Sequence, residues 1–427
     1  MSNIIELKNV KKSFSNSEGQ ELLVLDGVDF TLREGEIVAL LGKSGSGKST
    51  LMRIIAGLTP ASTGEVQYCG QDVHSPVNGV SMVFQSFALL PWLTVLQNVE
   101  LGLEALGVGR EERRQRALKA IDMIGLDGFE SALPKELSGG MKQRVGFARA
   151  LVVDPDILVM DEPFSALDVL TAENLRGDLL DLWKEKKTNL KAMVIVTHNI
   201  EEAVELADRV LIFASNPGFV KSELPIKLPH PRDEESPGFR KLVDDIYRLM
   251  TMRVENDPRR GRRRTLGVDY RLPDVDASEL NDMLERMGEY DSKIDLPELA
   301  EESQMDIDDL FPTIEALELL KFSIADAGDI ELTDAGRQFT NADILGRKEI
   351  FSEHLKLNIP LAQYICKTLD AKHNHRVSEE RFLTKLEDYF TEKEAERVLA
   401  TVIDWGRYAE LFAYDYNTGV LSLEDPE

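Results

Sequence analysis

The sequence of 427 residues is poor in cysteine and has no long apolar run. Cys69 and Cys366 lie far apart and lack the spacing of metal ligands, so we expect two buried thiols in a reducing cytosol. No stretch of about 18 apolar residues is present, which excludes a membrane-spanning helix. The first residues, MSNIIELKNVKKSF, lack the pattern of a secretory signal, and we expect none.

The sequence is also short of basic residues, with a net charge of -26. Such a chain is a poor general partner for DNA, whose phosphates attract cations. Residues 270–427 contain 37 Asp and Glu against 16 Lys and Arg, so this part alone has a net charge of −21. Hydrophobic residues make up 43%, enough for real cores, and the length predicts two to three domains.

Residues 1–215 alternate short apolar runs with helical stretches, which predicts an α/β domain with a mostly parallel sheet. A helical subdomain is expected at about residues 86–154. Residues 216–269 are interpreted as an extension and a basic linker, and residues 270–427 as an acidic C-terminal domain. The arginines at 259–264 fit either a solvated linker or a contact with acidic lipid or phosphate.

A glycine-rich segment follows the apolar run EIVALL and precedes a helical pattern, and it fits G-x-x-x-x-G-K-[ST]. Glycines let backbone amides turn inward around phosphate oxygens, and the helix that follows adds its positive end. Lys48 is expected to reach the β- and γ-phosphates, and the Ser49 hydroxyl to bind Mg²⁺. The predicted nucleotide-binding residues here are Gly42, Lys43, Ser44, Gly45, Ser46, Gly47, Lys48, Ser49 and Thr50.

Two carboxylates follow a second apolar run in the segment ILVMDEP. Asp161 is predicted to hold Mg²⁺, and Glu162 to accept a proton from the attacking water or to orient it. Alternatively the pair starts a helix, since Pro163 follows and acidic residues favour first turns. The phosphate-binding loop favours the catalytic interpretation.

Further motifs in a fixed order make this sequence resemble the ABC ATPase family. Residues 137–143, LSGGMKQ, look like its signature with Met141 in place of the usual glutamine. Gln85, the segment Ser165–Asp168 and His198 resemble its Q-loop, D-loop and switch histidine. Phe14 stands where the family carries an adenine-stacking aromatic, although a core aromatic is the alternative.

The resemblance implies a P-loop NTPase fold, ATP and Mg²⁺ as cofactors, and an ATPase that works as a dimer. Ser138 and Gly140 then contact the γ-phosphate held by the other subunit, with Gly139 and Asp168 in the same nucleotide site. Gln85 is implied as a contact of Mg²⁺ and water, and His198 as a contact of the γ-phosphate. The implied catalytic residues are Lys48, Gln85, Glu162 and His198, and the implied metal ligands are Ser49, Gln85 and Asp161.

Within this family, the segments FALLPWLTVLQNV and THNIEEAVELADRV and the turn NPG look most like importers of nitrate, sulfonate, taurine and bicarbonate. That likeness implies a membrane permease, a second copy or a paralogous ATPase, and indirectly an external solute-binding protein. It also implies a peripheral position on the cytoplasmic face of the inner membrane. The residues of the phosphate-binding loop do not indicate which solute is transported.

The C-terminal residues resemble an AAA-associated domain attached to some of these ATPases. Residues 294–339 and 378–424 each predict two helices followed by a hairpin, the pattern of a winged helix. The segment DIDDLFPTIEALELL has five acidic residues and no basic one, so it is poorly suited to DNA and better suited to a protein contact.

Three functions are considered for this sequence. They are a transport motor, a soluble ABC ATPase that acts as a regulatory or nucleic-acid switch, and a non-catalytic dimerisation subunit. Only 90 residues separate Lys48 from Ser138, without a coiled-coil pattern, and the motif set occurs once. These features and the acidity favour the motor over the switch. Intact Lys48, Asp161, Glu162 and His198 oppose a non-catalytic role.

Overall fold

The computed structural model describes residues 2–15, 21–43, 45–185, 188–215, 217–252, 267–268, 270–290, 292–303, 305 and 307–423, without the side chains of 15 and 307–309. The chain divides into two units, and the division falls between Ile246 and Tyr247. The predicted arginine run at 259–264 lies outside the described residues, as does Ser44. No helix in the described ranges is long and apolar enough to cross a membrane.

The first unit is built on a sheet of six strands, and the predicted mostly parallel α/β fold is confirmed. In spatial order its strands are β10 (Phe219–Pro225), β9 (Arg209–Ala214), β3 (Glu36–Gly42), β8 (Ala192–Thr197), β7 (Ile157–Asp161) and β6 (Val80–Val83). All neighbours run parallel except β10 and β9. The carboxyl ends of β3, β7 and β8 therefore meet at one edge, where ligands of open α/β sheets bind.

A smaller sheet of four strands completes the β-structure of this unit. Its order is β2 (Glu21–Arg33), β1 (Asn3–Ser15), β4 (Thr63–Tyr68) and β5 (Gln71–Asp72). Cys69 lies in the tight turn between β4 and β5, with a φ of 49° beside Gly70 at 77°. The expectation of two buried thiols is therefore wrong for Cys69, which this surface turn exposes, whereas Cys366 is half-buried.

Helices connect these strands. They are α1 (Lys48–Ile55), α2 (Val95–Ala105), α3 (Arg110–Met123), α4 (Gly139–Leu151), α5 (Val169–Lys184) and α6 (Ile200–Leu206), with a 3₁₀ turn at Pro134–Glu136. Helix α7 (Pro237–Thr251) follows β10 and contains the division between the two units. Helices α2, α3 and α4 pack on one another between β6 and β7. Thr94 and Gln97 form a capping box that fixes the start of α2.

The second unit is mainly helical and contains the same motif twice. Its first half has α8 (Ala277–Gly288), β11 (Ile294–Asp295), α9 (Leu296–Ser303), α10 (Ile307–Leu319), β12 (Ser323–Asp326) and β13 (Asp329–Leu332). After α11 (Asp334–Asn341) and α12 (Ile344–Asn358) come α13 (Pro360–Asp370), β14 (Arg376–Ser378), α14 (Glu380–Glu387), α15 (Glu392–Tyr408), β15 (Ala413–Asp415) and β16 (Val420–Ser422).

The two small sheets have the same strand order, β11-β13-β12 and β14-β16-β15. Each half thus places a strand, two helices and a hairpin in winged-helix order, as predicted. One hydrophobic core runs through both halves. It includes Trp405, whose Nε1 donates to the carbonyl of Val275 at 2.9 Å, and the buried residues Leu310, Ile314, Leu317 and Leu320 of α10 and the residue after it.

Candidate functional site

The glycine-rich loop joins the carboxyl end of β3 to the start of α1. Gly45 and Gly47 have φ angles of 77° and 87°, a region that disfavours other residues. A Cβ at Gly47 would lie 2.6 Å from Leu25 Cδ2, and one at Gly42 would lie 2.7 Å from the carbonyl oxygen of Phe213. The loop therefore needs glycine for its space as well as its backbone conformation.

Lys48 points into this loop from the first turn of α1. Its Nζ donates to the carbonyl oxygens of Gly42 at 2.6 Å and Lys43 at 2.9 Å, and lies 3.3 Å from Ser46 Oγ. The residue is only 4% exposed. A buried ammonium at a helix N-terminus, surrounded by turned backbone, is suited to an anionic ligand.

Ser49 and Asp161 meet across the space between α1 and β7. Ser49 Oγ donates to Asp161 Oδ1 at 3.0 Å. Burial raises the pKa of Asp161, and the neighbouring carboxylate of Glu162 raises it further, against the opposing effect of the Ser49 hydroxyl. A cation at this point would balance the buried carboxylate charge.

The donor set of this pair fits Mg²⁺. A hydroxyl and a carboxylate are hard oxygen donors, and Mg²⁺ is held by one or two such groups together with water and phosphate. In the part of the chain that the structure describes, no three His, Cys, Asp or Glu side chains form a metal cluster of their own. Ser49 and Asp161 would hold the ion, which supplies charge neutralisation at phosphate oxygens.

Glu162 follows β7 and contacts two of the other predicted catalytic side chains, Gln85 and His198. Its Oε2 accepts a hydrogen bond from Gln85 Nε2 at 2.8 Å, and its Oε1 lies 3.6 Å from His198 Nδ1. Its backbone has a φ of 43°, which is unusual for a residue with a side chain, and its N–H donates to Val196 at 2.9 Å. The structure thus brings Gln85, Glu162 and His198 together beside Asp161.

The signature residues begin α4 and lie beside the D-loop. Ser138 caps this helix, and its Oγ accepts from the N–H of Met141 at 3.3 Å. A Cβ at Gly140 would lie 2.3 Å from Thr171 Cγ2, so glycine lets α4 approach α5 closely. Asp168 caps α5 by accepting from the N–H of Thr171 at 3.0 Å. Hydrogen bonds from the side chain and then the backbone of Thr171 lower the pKa of Asp168.

Phe14 lies near the end of β1 with its side chain largely in solvent. The residue is 44% exposed, so the alternative of a core aromatic is wrong. Lys12 Nζ lies 4.8 Å from the ring centroid and also donates to the carbonyl of Pro60 at 2.8 Å. Adenine stacking on Phe14 stays a prediction.

Several side chains around this site had no individual role predicted from the sequence, and Ser165 was predicted only as part of the D-loop segment. Ser165 Oγ lies 3.4 Å from Gln85 Nε2 and donates to the carbonyl of Glu162 at 3.1 Å. Thr197 and Glu202 flank the turn that carries His198. The available signal was Asn199 followed three residues later by Glu202, which is typical of a helix start.

Known protein families match both units of this chain. The ABC transporter family matches residues 25–165, and the C-terminal AAA-associated domain matches residues 297–415. An uncharacterised ABC transporter ATP-binding protein of Methanocaldococcus jannaschii is 44% identical over 246 residues, which are 58% of this chain and 91% of that protein. The chain belongs to the ABC transporter ATP-binding protein family.

Other members of this family have import functions in their names. The nitrate import ATP-binding protein of Synechocystis is 43% identical over 233 residues, 55% of this chain and 85% of that protein. The aliphatic sulfonates import ATP-binding protein of Bacillus cereus is 40% identical over 238 residues, 56% of this chain and 92% of that protein. The predicted family is confirmed, and this ABC protein is an ATPase with ATP and Mg²⁺ as cofactors.

Proposed function

We propose that this chain is the ATP-hydrolysing subunit of an ABC importer that takes up a small anion through a membrane permease. The observation that carries the proposal is the arrangement of Gln85, Glu162 and His198 next to the Ser49–Asp161 pair. A subunit that served only for dimerisation would not need this group. The nitrate and sulfonate import relatives support the transport role and the class of solute.

Each residue of the group has a role that follows from its position. Glu162 accepts a proton from the attacking water or orients it, and the Gln85 amide holds one of its oxygens in place. His198 lies on the other side of the same carboxylate and is proposed to contact the γ-phosphate. Lys48 stabilises negative charge on the phosphates from within its loop.

Dimerisation is proposed because the signature residues act on a nucleotide held by another subunit. Ser138 and Gly140 stand at the N-terminus of α4, whose amides suit a phosphate. Directly after the D-loop, Val169 and Leu170 are 80% and 70% exposed. Two exposed apolar residues at this point fit burial against a second copy or a paralogous ATPase.

A surface after Gln85 is proposed to receive a helix of the permease. Trp92 is 71% exposed there. The loop beneath it is held by Arg149, which donates to the carbonyls of Phe87 and Ala88 at 3.0 and 2.5 Å. Buried Asn98 donates to carbonyls of the same segment, including that of Leu93 at 3.0 Å. An exposed tryptophan on a loop fixed by these hydrogen bonds, seven residues after Gln85, suits a partner that must respond to ATP turnover.

The permease would hold this subunit on the cytoplasmic face of the inner membrane, and an external solute-binding protein would act indirectly. The acidic second unit is proposed to make a protein contact. Its winged-helix order is the one observation that favours the second candidate, a nucleic-acid-linked switch. Stimulation of ATP hydrolysis by DNA would support that candidate.

Uptake measurements in the host test the importer directly. The chromosomal gene is replaced by the Glu162→Gln variant, and uptake of labelled nitrate, alkanesulfonate, taurine and bicarbonate is measured. We expect one of these uptakes to be lost while the variant accumulates to wild-type levels. Normal uptake of all four would contradict the proposed class of solute.

A further inference from the structure

We propose that Glu202 is a positioning residue that fixes the turn carrying His198 and, through Arg176, ties this turn to the helix that begins at the D-loop. The inference rests on the proposed role of His198 at the γ-phosphate. It adds a residue pair that contacts neither nucleotide nor metal and that acts through the position of another side chain.

The turn between β8 and α6 is closed by three hydrogen bonds. Thr197 Oγ1 donates to Glu202 Oε2 at 2.7 Å, and the N–H of Asn199 donates to Thr197 Oγ1 at 3.0 Å. The N–H of Glu202 donates to Asn199 Oδ1 at 2.7 Å. His198 lies between Thr197 and Asn199. Both of these neighbours are hydrogen-bonded to Glu202, so the backbone on each side of His198 is fixed.

Arg176 extends this arrangement to the neighbouring helix α5. Its NH1 lies 3.7 Å from Glu202 Oε1, and its Nε lies 2.5 Å from Glu205 Oε2. Asp168 caps the same helix two turns before Arg176. One guanidinium on the D-loop helix therefore meets two carboxylates on the helix that follows the switch histidine.

The charged side chains of this pair are largely buried. The side chains of Arg176 and Glu202 are 14% and 13% exposed. Burial raises the pKa of both Glu202 and Glu205, and the guanidinium opposes that effect. At a buried position, apolar side chains of similar volume often stabilise the folded protein as much as an ion pair does. What the polar group adds is a fixed direction for the hydrogen bonds among Thr197, Asn199 and Glu202, next to the charge of Arg176.

This direction matters because the His198 side chain is about half exposed. The turn beneath the imidazole determines where the ring stands relative to Glu162. A displacement of about 1 Å at a reacting group lowers turnover by as much as about 10²-fold. The pair would also transmit a movement of the D-loop helix to His198.

Kinetics of the purified full-length chain test the proposal with Glu202→Ala and Glu202→Gln. We expect Glu202→Ala to lower kcat by about 10- to 100-fold while KM for ATP changes by less than about 2-fold. Glu202→Gln keeps an oxygen that accepts from Thr197 but loses the charge that faces Arg176, so it should restore part of the loss. Asp181→Ala is the control, because it removes an exposed carboxylate from α5.

A double variant separates positioning from a general structural role. In a His198→Ala background, Glu202→Ala should lower kcat by less than about 2-fold, since its effect passes through His198. An equal loss in both backgrounds would overturn the proposal. If His198→Ala alone leaves turnover unchanged, the proposed role of His198 fails, which is a different result.

Histidine NMR gives a readout that does not depend on activity. The chain has 6 histidines, and the ring signal of His198 is identified by its loss in His198→Ala. We expect Glu202→Ala to shift or broaden this signal without affecting that of His354. Thr197→Val, which keeps the side-chain shape, should do the same if Glu202→Ala does not fold. An unchanged His198 signal in a folded variant would refute the proposal.

Discussion

Glu162→Gln replaces the carboxylate that follows β7 by an amide of the same shape. In the structure Oε2 accepts from Gln85 Nε2 at 2.8 Å, and a glutamine can keep this contact by turning its own carbonyl oxygen toward Gln85. The substitution removes the ability to take a proton from water and leaves Lys48 and Ser49 untouched. We therefore expect a change in turnover without a change in binding.

The size of the effect follows from the role assigned to the carboxylate. Loss of a general base lowers the rate by about 10²–10⁴-fold. This corresponds to about 3–5 kcal/mol in the activation free energy. The dissociation constant for ATP should stay within about 3-fold, because the loop that holds the phosphates does not change.

Single-turnover hydrolysis of labelled ATP and equilibrium binding of a fluorescent ATP analogue measure the two quantities on the same preparation. Glu173→Gln makes the same chemical change at an exposed position on α5 and serves as the control. Near-normal hydrolysis in Glu162→Gln would refute the assignment of the base. A parallel loss of binding would show that Glu162 holds the loop together.

Three further predictions follow from other parts of the first unit. Burial raises the pKa of Asp161 above its ordinary 3.8. The protonated side chain therefore stabilises the fold below pH 3.8, and this contribution is lost as the pH rises through the raised pKa of the folded state. Asp161→Asn should therefore raise the melting temperature of the ligand-free protein at pH 7 and remove the stabilisation by Mg²⁺-ATP. A lower melting temperature of the ligand-free variant would contradict the argument. Gly47→Ala should lower the free energy of unfolding in urea by about 2–4 kcal/mol, because its Cβ meets Leu25 in a left-handed conformation. Gly107→Ala, also left-handed but with open space, should lose only about 1–2 kcal/mol, and equal losses would refute the steric reason. Trp92→Ser should abolish co-purification of a permease and leave ATP hydrolysis by the isolated chain unchanged; retained permease would contradict the proposed docking surface.

The fold and the centre of the site could be predicted because local sequence determines them. The strands of the runs EIVALL, ILVMD and AMVIVT have uninterrupted apolar centres, which is typical of buried parallel strands. Their carboxyl ends lie at one edge of a sheet, so Lys48, Asp161 and His198 had to come together. The helices and hairpins of the second unit have equally local signals.

Other features depend on contacts between distant segments and could not be predicted. The strands β11 and β14 have two and three residues and exist through pairing with β13 and β16. The exposure of Phe14 follows from how β1 packs. Arg176 on α5 and Glu202 on α6 are 26 positions apart, and only the folded chain brings them together as an ion pair.

Capture of the tagged chain from gently solubilised membranes of its own host tests the central claim most directly. Co-purified proteins are identified by mass spectrometry, in parallel with the Trp92→Ser variant. The importer account predicts that a permease with several membrane-spanning helices co-purifies with the wild-type chain and is missing with the variant. Recovery of only soluble proteins or nucleic acid would contradict this account and favour the regulatory switch.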